Sequence, residues 1–193
     1  MSRVVIAGGG LVGSLLAVML KKRNHEVFLY EKRADPRKDK IQSVGRSINL
    51  VVTSRGLHAL EKVGLLKDVL KITVPVTGRM IHSKAGEQTY QPYGRDTSEC
   101  NYSVSRGELN QFLLSQAEKK NIPIFFEHTL EDLKLTQKKA VFSHQGSPIE
   151  VDYDIFFGAD GAGSQTRVAM QRALSGDLKD TTEFLSSDYK ELF

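Results

Sequence analysis

Three glycines near the N-terminus, Gly8, Gly10 and Gly13, stand as G-x-G-x-x-G, and a carboxylate, Glu31, lies 18 residues beyond the last of them. Glycine at those spacings does three separate things. Gly8 permits a tight turn, Gly10 lets backbone approach a pyrophosphate that a side chain would exclude, and Gly13 lets a helix press against a sheet. The unpaired amides of Leu11, Val12 and their neighbours at the helix start would then face an anion. A carboxylate at the end of the following strand can accept hydrogen bonds from both hydroxyls of an adenosine ribose and would repel a 2′-phosphate. The pattern therefore points to FAD or NAD, not NADP, as the bound dinucleotide. Each part alone has a plainer reading: the glycines as a tight turn, Glu31 as a solvated strand end.

The elements that must hold this pattern are legible around it. Residues 3–7 (RVVIA) form a β-branched run that reads as a buried parallel strand. Residues 11–23 read as a helix, with Leu11, Leu15, Val18 and Met19 at three- and four-residue spacing and Lys21, Lys22 and Arg23 at the negative end of its dipole. Residues 25–31 (HEVFLYE) then complete a βαβ unit. Downstream, Ser54 is positioned to cap a helix that Gly64 ends, with a further turn or two over 65–71. Residues 77–83 and 87–91 suit a hairpin about Lys84-Ala85-Gly86, and Ser105 with Glu108 forms a capping box for a helix running to about residue 120. Stretches at 124–126, 129–135, 140–143 and 149–151 read as a small antiparallel layer, turned at Gln145-Gly146. The apolar run 154–159 (DIFFGA) reads as a central strand, followed by Asp160-Gly161 and a helix over 164–174. The fold class is α/β: a Rossmann-like domain with a parallel core sheet and a small antiparallel layer.

Composition excludes several other classes. In 193 residues, 40% are hydrophobic and 26% charged, enough for one full-sized core. The net charge of +4 is dispersed, giving no support to a nucleic-acid surface. Cys100 is the single cysteine, so neither a disulfide framework nor a zinc cluster is expected, and a reducing, cytoplasmic setting is the default. The five histidines show no metal-ligand spacing. No apolar run of membrane-spanning length occurs, and the apolar stretch from Val4 to Leu20 is broken by four glycines, so no membrane contact or secretion signal is expected.

Beyond the glycines, residues 45–50 (GRSINL), 78–82 (GRMIH), 92–94 (PYG), Ser105-Arg106 and 158–167 (GADGAGSQTR) resemble the FAD-dependent aromatic hydroxylases, most closely the branch that hydroxylates kynurenine. GRSINL and GRMIH are the specific segments; the Asp-Gly segment recurs through the wider group. The resemblance implies that FAD's adenosine half lies over Gly8, Gly10, Leu11, Val12 and Gly13 and over Tyr30, Glu31, Lys32 and Arg33. It assigns Arg106 to the pyrophosphate region, Val51 and Leu130 to positions near the cofactor, and Asp160 to a segment serving both FAD and the pyridine nucleotide. It matches Arg79 and Tyr93 to the pair that holds the amino-acid carboxylate of L-kynurenine, a role that suits a bidentate guanidinium fork and a phenol hydroxyl. The implied activity uses FAD, NADPH and molecular oxygen to hydroxylate an activated aromatic ring, with no nucleophilic or metal-ligating side chain.

By residue type alone, Arg79 is compatible with solvent exposure or an acid partner, Tyr93 with a packed turn, Asp160 with a helix cap, and Arg46 and Arg55 with structural roles. Two alternative functions stand beside the first: another aromatic-ring flavin hydroxylase, or a non-catalytic dinucleotide-binding module. The resemblance also implies a longer protein. The expected arrangement is a FAD/NAD(P)-binding domain over 1–174, then a polar stretch over 175–193 whose end (DYKELF) resembles the first strand of an otherwise missing substrate domain. Such a fragment is expected to bind cofactor without hydroxylating.

Overall fold

The structure, a computed structural model, describes residues 1–38, 49–174 and 178–187. In chain order the elements are β1 (Arg3–Ala7), α1 (Leu11–Lys22), β2 (Glu26–Tyr30), β3 (Asn49–Val52), α2 (Ser54–Val63), α3 (Leu66–Leu70) and β4 (Val74–Val76). There follow β5 (Gly78–His82), β6 (Gln88–Pro92), β7 (Asn101–Ser105), α4 (Arg106–Lys119), β8 (Ile124–Phe125), β9 (Thr129–Lys134), β10 (Lys139–His144), β11 (Ser147–Asp152), β12 (Ile155–Gly158) and α5 (Gln165–Ala173). They divide between two compact units, one within residues 1–42 and 112–193 and the other within 43–111.

In the first unit, β1 is parallel to both β2 and β12, and β2 is parallel to β8, giving the order β12-β1-β2-β8. Val4, Val5 and Ile6 are fully buried, as a strand covered on both faces requires. The 124–126 stretch thus departs from the sequence expectation: β8 joins the parallel sheet, not the antiparallel layer. A parallel pairing needs a crossover, and the long connection between β2 and β8, of which α4 is the last element, supplies it. Likewise the 154–159 run is not central among the described strands: β12 ends the order, and Ile155 remains 39% exposed.

The face of α1 that is buried consists of Gly13, Ser14, Ala17 and Val18, so of the expected apolar stripe only Val18 is buried, while Leu11, Leu15 and Met19 are half-buried. Small residues win here because a helix that starts directly after the glycine turn lies close to the sheet. The C-terminal end of α1 carries Lys21 and Lys22, favourable to its dipole.

A three-stranded antiparallel sheet, β9, β10 and β11, forms the expected second layer of this unit. Its β10–β11 turn puts both Gln145 (φ 52°) and Gly146 (φ 80°) in the left-handed region, the twist a two-residue hairpin favours. Phe142 and Leu130 from this layer pack with Tyr30 and Val5 of the parallel sheet and Ala169 of α5 into one core. The Tyr30 ring lies stacked between Phe125 and Phe142, at centroid distances of 4.7 and 4.2 Å. On the outer surface Glu150 bridges Lys134 and Lys139; the Lys134 hydrogen bond is the leading cause that holds its carboxyl down at about 2.

The second unit contains the sheet β3-β7-β4, which no sequence pattern anticipated, and the expected hairpin β5–β6. Gly64, at φ 79°, terminates α2 as expected. Thr53, not Ser54, occupies the N-cap of α2 and makes no side-chain cap bond, so that expectation is corrected: Ser54 is already the first helical residue. Ser105 Oγ accepts the Glu108 N–H at 3.4 Å, a weak form of the capping box.

Candidate dinucleotide-binding site

The turn between β1 and α1 is shaped by its glycines. Gly8 has φ +109°, its N–H donates to the Tyr30 carbonyl at 2.7 Å, and a Cβ there would come within 2.8 Å of the Asp160 nitrogen. A Cβ on Gly13 would overlap the Gly8 carbonyl oxygen and lie 3.3 Å from the Ala159 side chain. These two glycines are thus demanded by the fold itself. Gly10 is different: it has φ −73°, and a Cβ there would meet nothing within 4 Å. Glycine at position 10 answers no internal contact; it suits the N-cap of α1 and leaves room for a ligand approaching from outside.

Gly10 is also the N-cap of α1, with no side-chain cap bond and no acidic residue in the first turn. The helix start therefore presents backbone N–H groups and its positive end to whatever lies before it. Leu11 is half-buried and Val12 is 71% exposed, so these residues offer main chain at an open surface. The turn is stiffened from behind by Ser14, whose buried hydroxyl donates to the Gly9 carbonyl at 3.1 Å.

Glu31 stands at the end of β2 and is buried. Its Oε2 accepts the Gly9 N–H at 2.7 Å, and its Oε1 accepts the Arg33 N–H at 3.0 Å and Nε–H at 2.8 Å. Burial pushes its pKa up, but the bonds and charge of Arg33 and the Gly9 N–H outweigh it, and the carboxyl stands below its ordinary value. Each carboxylate oxygen accepts more than one hydrogen bond, so Oε2 keeps capacity for a further donor. Lys32 is exposed beside it, and the loop beyond is pinned by Arg37, which donates to Asp35 and Glu118. This donor set, with amides for an anion and a fixed carboxylate for hydroxyls, fits the adenosine diphosphate half of FAD.

The other expected residues fall into different settings. Tyr30 and Leu130 are core residues whose side chains are packed in the protein. Asp160 follows β12, and its backbone abuts Gly8. Its carboxylate turns into the start of α5, accepting from Ser164 Oγ at 2.6 Å and from Thr166 N–H at 2.9 Å and Oγ at 3.1 Å. Burial raises its pKa, and these donors more than reverse the effect. Ser164 is the N-cap of α5, so Asp160 braces the helix start without being its N-cap.

In the second unit, Val51 is exposed on β3, opposite Ser103, and Arg106 is exposed as the first residue of α4. Arg79 lies opposite Gln91 in the β5–β6 ladder, and its Nε–H donates to the Gln91 side chain at 2.8 Å. Tyr93 is two residues past Gln91, and its N–H donates to the Thr77 carbonyl at 2.9 Å. The ladder thus runs one step further, and its alternation carries Arg79 and Tyr93 to one face. The strand holding Arg79 is mostly exposed. Residues 45–48 of GRSINL, including Arg46, and residues 188–193 lie outside the described residues.

Sequence reasoning did not single out Gly9, Ser14 or Thr166. Only a serine inside an otherwise apolar first turn could have flagged Ser14. Among the described residues no group of acids, histidines and cysteines could hold a metal, and no helix is long and apolar enough to cross a membrane.

Residues 1–188 match the family model described as "FAD binding domain", and the chain belongs to that family. The chain is 42% identical over 193 residues to a kynurenine 3-monooxygenase of Myxococcus xanthus (strain DK1622), a match covering 98% of this chain and 41% of that protein. It is 41% identical over 189 residues to that of Stenotrophomonas maltophilia (strain K279a), covering 97% and 41%. The chain thus spans about two fifths of the length of these curated relatives. Among solved structures, a tetrameric form of 2-methyl-3-hydroxypyridine-5-carboxylic acid oxygenase is similar with a TM-score of 0.72 at 22% identity, over 87% of this chain and 42% of that one. The flavin-dependent halogenase CmlS gives 0.70 at 22%, over 90% and 31%. These two likenesses concern the fold alone.

Proposed function

We propose that this chain is the FAD-binding portion of a flavin-dependent monooxygenase that, in its intact form, hydroxylates L-kynurenine to 3-hydroxykynurenine with NADPH and molecular oxygen. The observation that carries the reading is the open Gly10 position in a turn whose other glycines the fold itself requires, in a chain 42% identical to a kynurenine 3-monooxygenase. In this reading residues 1–174 form the FAD/NAD(P)-binding domain and 175–193 lead into a substrate domain. The amides of Gly10, Leu11, Val12 and Gly13 hold the diphosphate, with Gly8 shaping the turn. Glu31 takes the ribose hydroxyls, and Tyr30, Lys32, Arg33 and Leu130 border the adenosine. Arg106, Val51 and Asp160 contribute to the remaining cofactor contacts.

When bound and reduced by NADPH, the flavin supplies the oxygen-transfer chemistry. The protein's task is to bind, orient and exclude water. Arg79 offers a planar fork and Tyr93 a hydroxyl to the amino-acid carboxylate of kynurenine, so the substrate's far end is anchored and its aromatic ring presented in one orientation. The 193-residue chain alone binds FAD and does not turn over kynurenine; its single cysteine suits a cytoplasmic setting. NADPH oxidation with added kynurenine separates the two halves of the proposal. The intact protein should oxidise NADPH faster when kynurenine is added, and this chain should not. Stimulation by a benzoate or phenol in place of kynurenine would move the reading to another aromatic hydroxylase.

A further inference from the structure

The buried polar side chains of the described residues are Ser14, Glu31, Asp35 and Thr166. Ser14 and Glu31 brace the glycine turn and Asp35 pairs with Arg37, while Thr166 is bonded to Asp160 at the start of α5, on the far side of the 158–161 turn. Thr166 is 5% exposed, in the first turn of α5. Both its N–H and its hydroxyl donate to Asp160 Oδ2, at 2.9 and 3.1 Å. Its methyl sits beneath Gly158, where a Cβ would come within 2.6 Å of it. One side chain therefore grips the 158–161 turn at both its start and its acidic residue.

That turn is what lies against the dinucleotide cradle. The Ala159 N–H donates to the Ala7 carbonyl at 2.7 Å, and the Asp160 nitrogen would be 2.8 Å from a Cβ on Gly8. Gly8 has no room on this side, so displacement of residues 159–160 must be felt at the turn that Gly8 begins. The Asp160 carboxylate points away from this contact, into the donors of Ser164 and Thr166. What reaches the cradle is main chain, and what holds that main chain in place is the carboxylate's grip on α5.

We propose that Thr166 is a positioning residue of the dinucleotide site, its hydroxyl acting through Asp160 to hold the 158–161 turn against Gly8 and so to set the cradle that Gly8–Gly13 forms. This rests on the FAD reading above. A merely structural threonine would instead contribute to the stability of α5 and leave the cradle unchanged.

The test compares the 193-residue chain with T166V, which keeps the shape and removes the hydroxyl, and T166S, which keeps the hydroxyl and removes the methyl. Amide exchange without cofactor should be accelerated several-fold at Gly8 and Ala159 in T166V relative to Val5 and Leu29, and restored in T166S. Calorimetric titration should give FAD dissociation constants about three- to tenfold higher for T166V, since the lost hydroxyl acts on the cradle only through Asp160, a loss in the range of one ordinary hydrogen bond, and close to wild type for T166S. The proposal is overturned if T166V only lowers the melting temperature, with Gly8 and Ala159 exchanging in step with the core. It is equally overturned if T166S is as impaired as T166V. If the unaltered chain binds no FAD, the functional reading fails, while the exchange data still decide whether Thr166 governs the turn.

Discussion

Replacing Gly10 with alanine separates what the fold needs from what a ligand needs. At φ −73° and ψ −175° the backbone of Gly10 suits any residue, and a Cβ there meets nothing within 4 Å. Two small opposing terms act on stability. Alanine is a poorer N-cap than glycine, a loss below about 1 kcal/mol, while the reduced freedom of the unfolded chain returns about 0.4–1 kcal/mol. The Gly10→Ala chain should therefore melt within about 2 °C of the parent. Binding should behave otherwise. The methyl stands where a diphosphate must approach the helix amides, and loss of one charge-assisted hydrogen bond costs about 1.5–3 kcal/mol. At about 1.4 kcal/mol per decade, FAD affinity should fall roughly 10- to 150-fold. Calorimetric titration of both chains, with melting curves on the same samples, reads both quantities. An unchanged affinity for FAD with normal melting would refute the assignment of Gly10 to the diphosphate.

Gly8→Ala should do the reverse, lowering stability by more than about 2 kcal/mol because φ +109° and the contact with residues 159–160 both oppose a side chain; urea unfolding checks it. Glu31 has a lowered folded-state pKa, so its contribution is fully present above the unfolded value near 4.5 and is lost as pH falls through the folded value. Glu31→Gln should consequently narrow the loss of stability on acidification below about pH 4.5, seen in melting curves across that window, and should also weaken FAD binding at neutral pH. In the intact protein, Arg79→Lys should raise the KM for kynurenine at least tenfold, since a point ammonium cannot reproduce a bidentate fork; steady-state NADPH oxidation measures it, and an unchanged KM would remove Arg79 from the substrate site.

Much of the site was legible because it is local in the chain. The β1–turn–α1–β2 segment carries its own periodicity, glycine spacing and terminal carboxylate, and these fall where the sequence puts them. What escaped depends on partners distant in sequence. The two-residue strand β8 has no period of its own, and only pairing with Leu29 and Tyr30 makes it part of the parallel sheet. The Val4-Val5-Ile6 run of β1 reads as buried and is buried; the equally apolar run of β12 reads the same way, yet β12 pairs with β1 alone among the described strands. The resemblance places Tyr30 along the adenosine half of FAD, and the structure adds what no sequence pattern shows, that its ring lies in a stack with Phe125 and Phe142. Gly10 illustrates the converse. Its spacing marks it as one of three glycines, and only the space around each shows which of them the fold could do without.

Titrating FAD into the purified 193-residue chain at low salt, with heat, flavin fluorescence and melting temperature followed together, addresses the cradle itself. Saturable one-to-one binding accompanied by a rise in melting temperature is the expected result. Absence of heat, unquenched flavin fluorescence and an unmoved melting curve would contradict it.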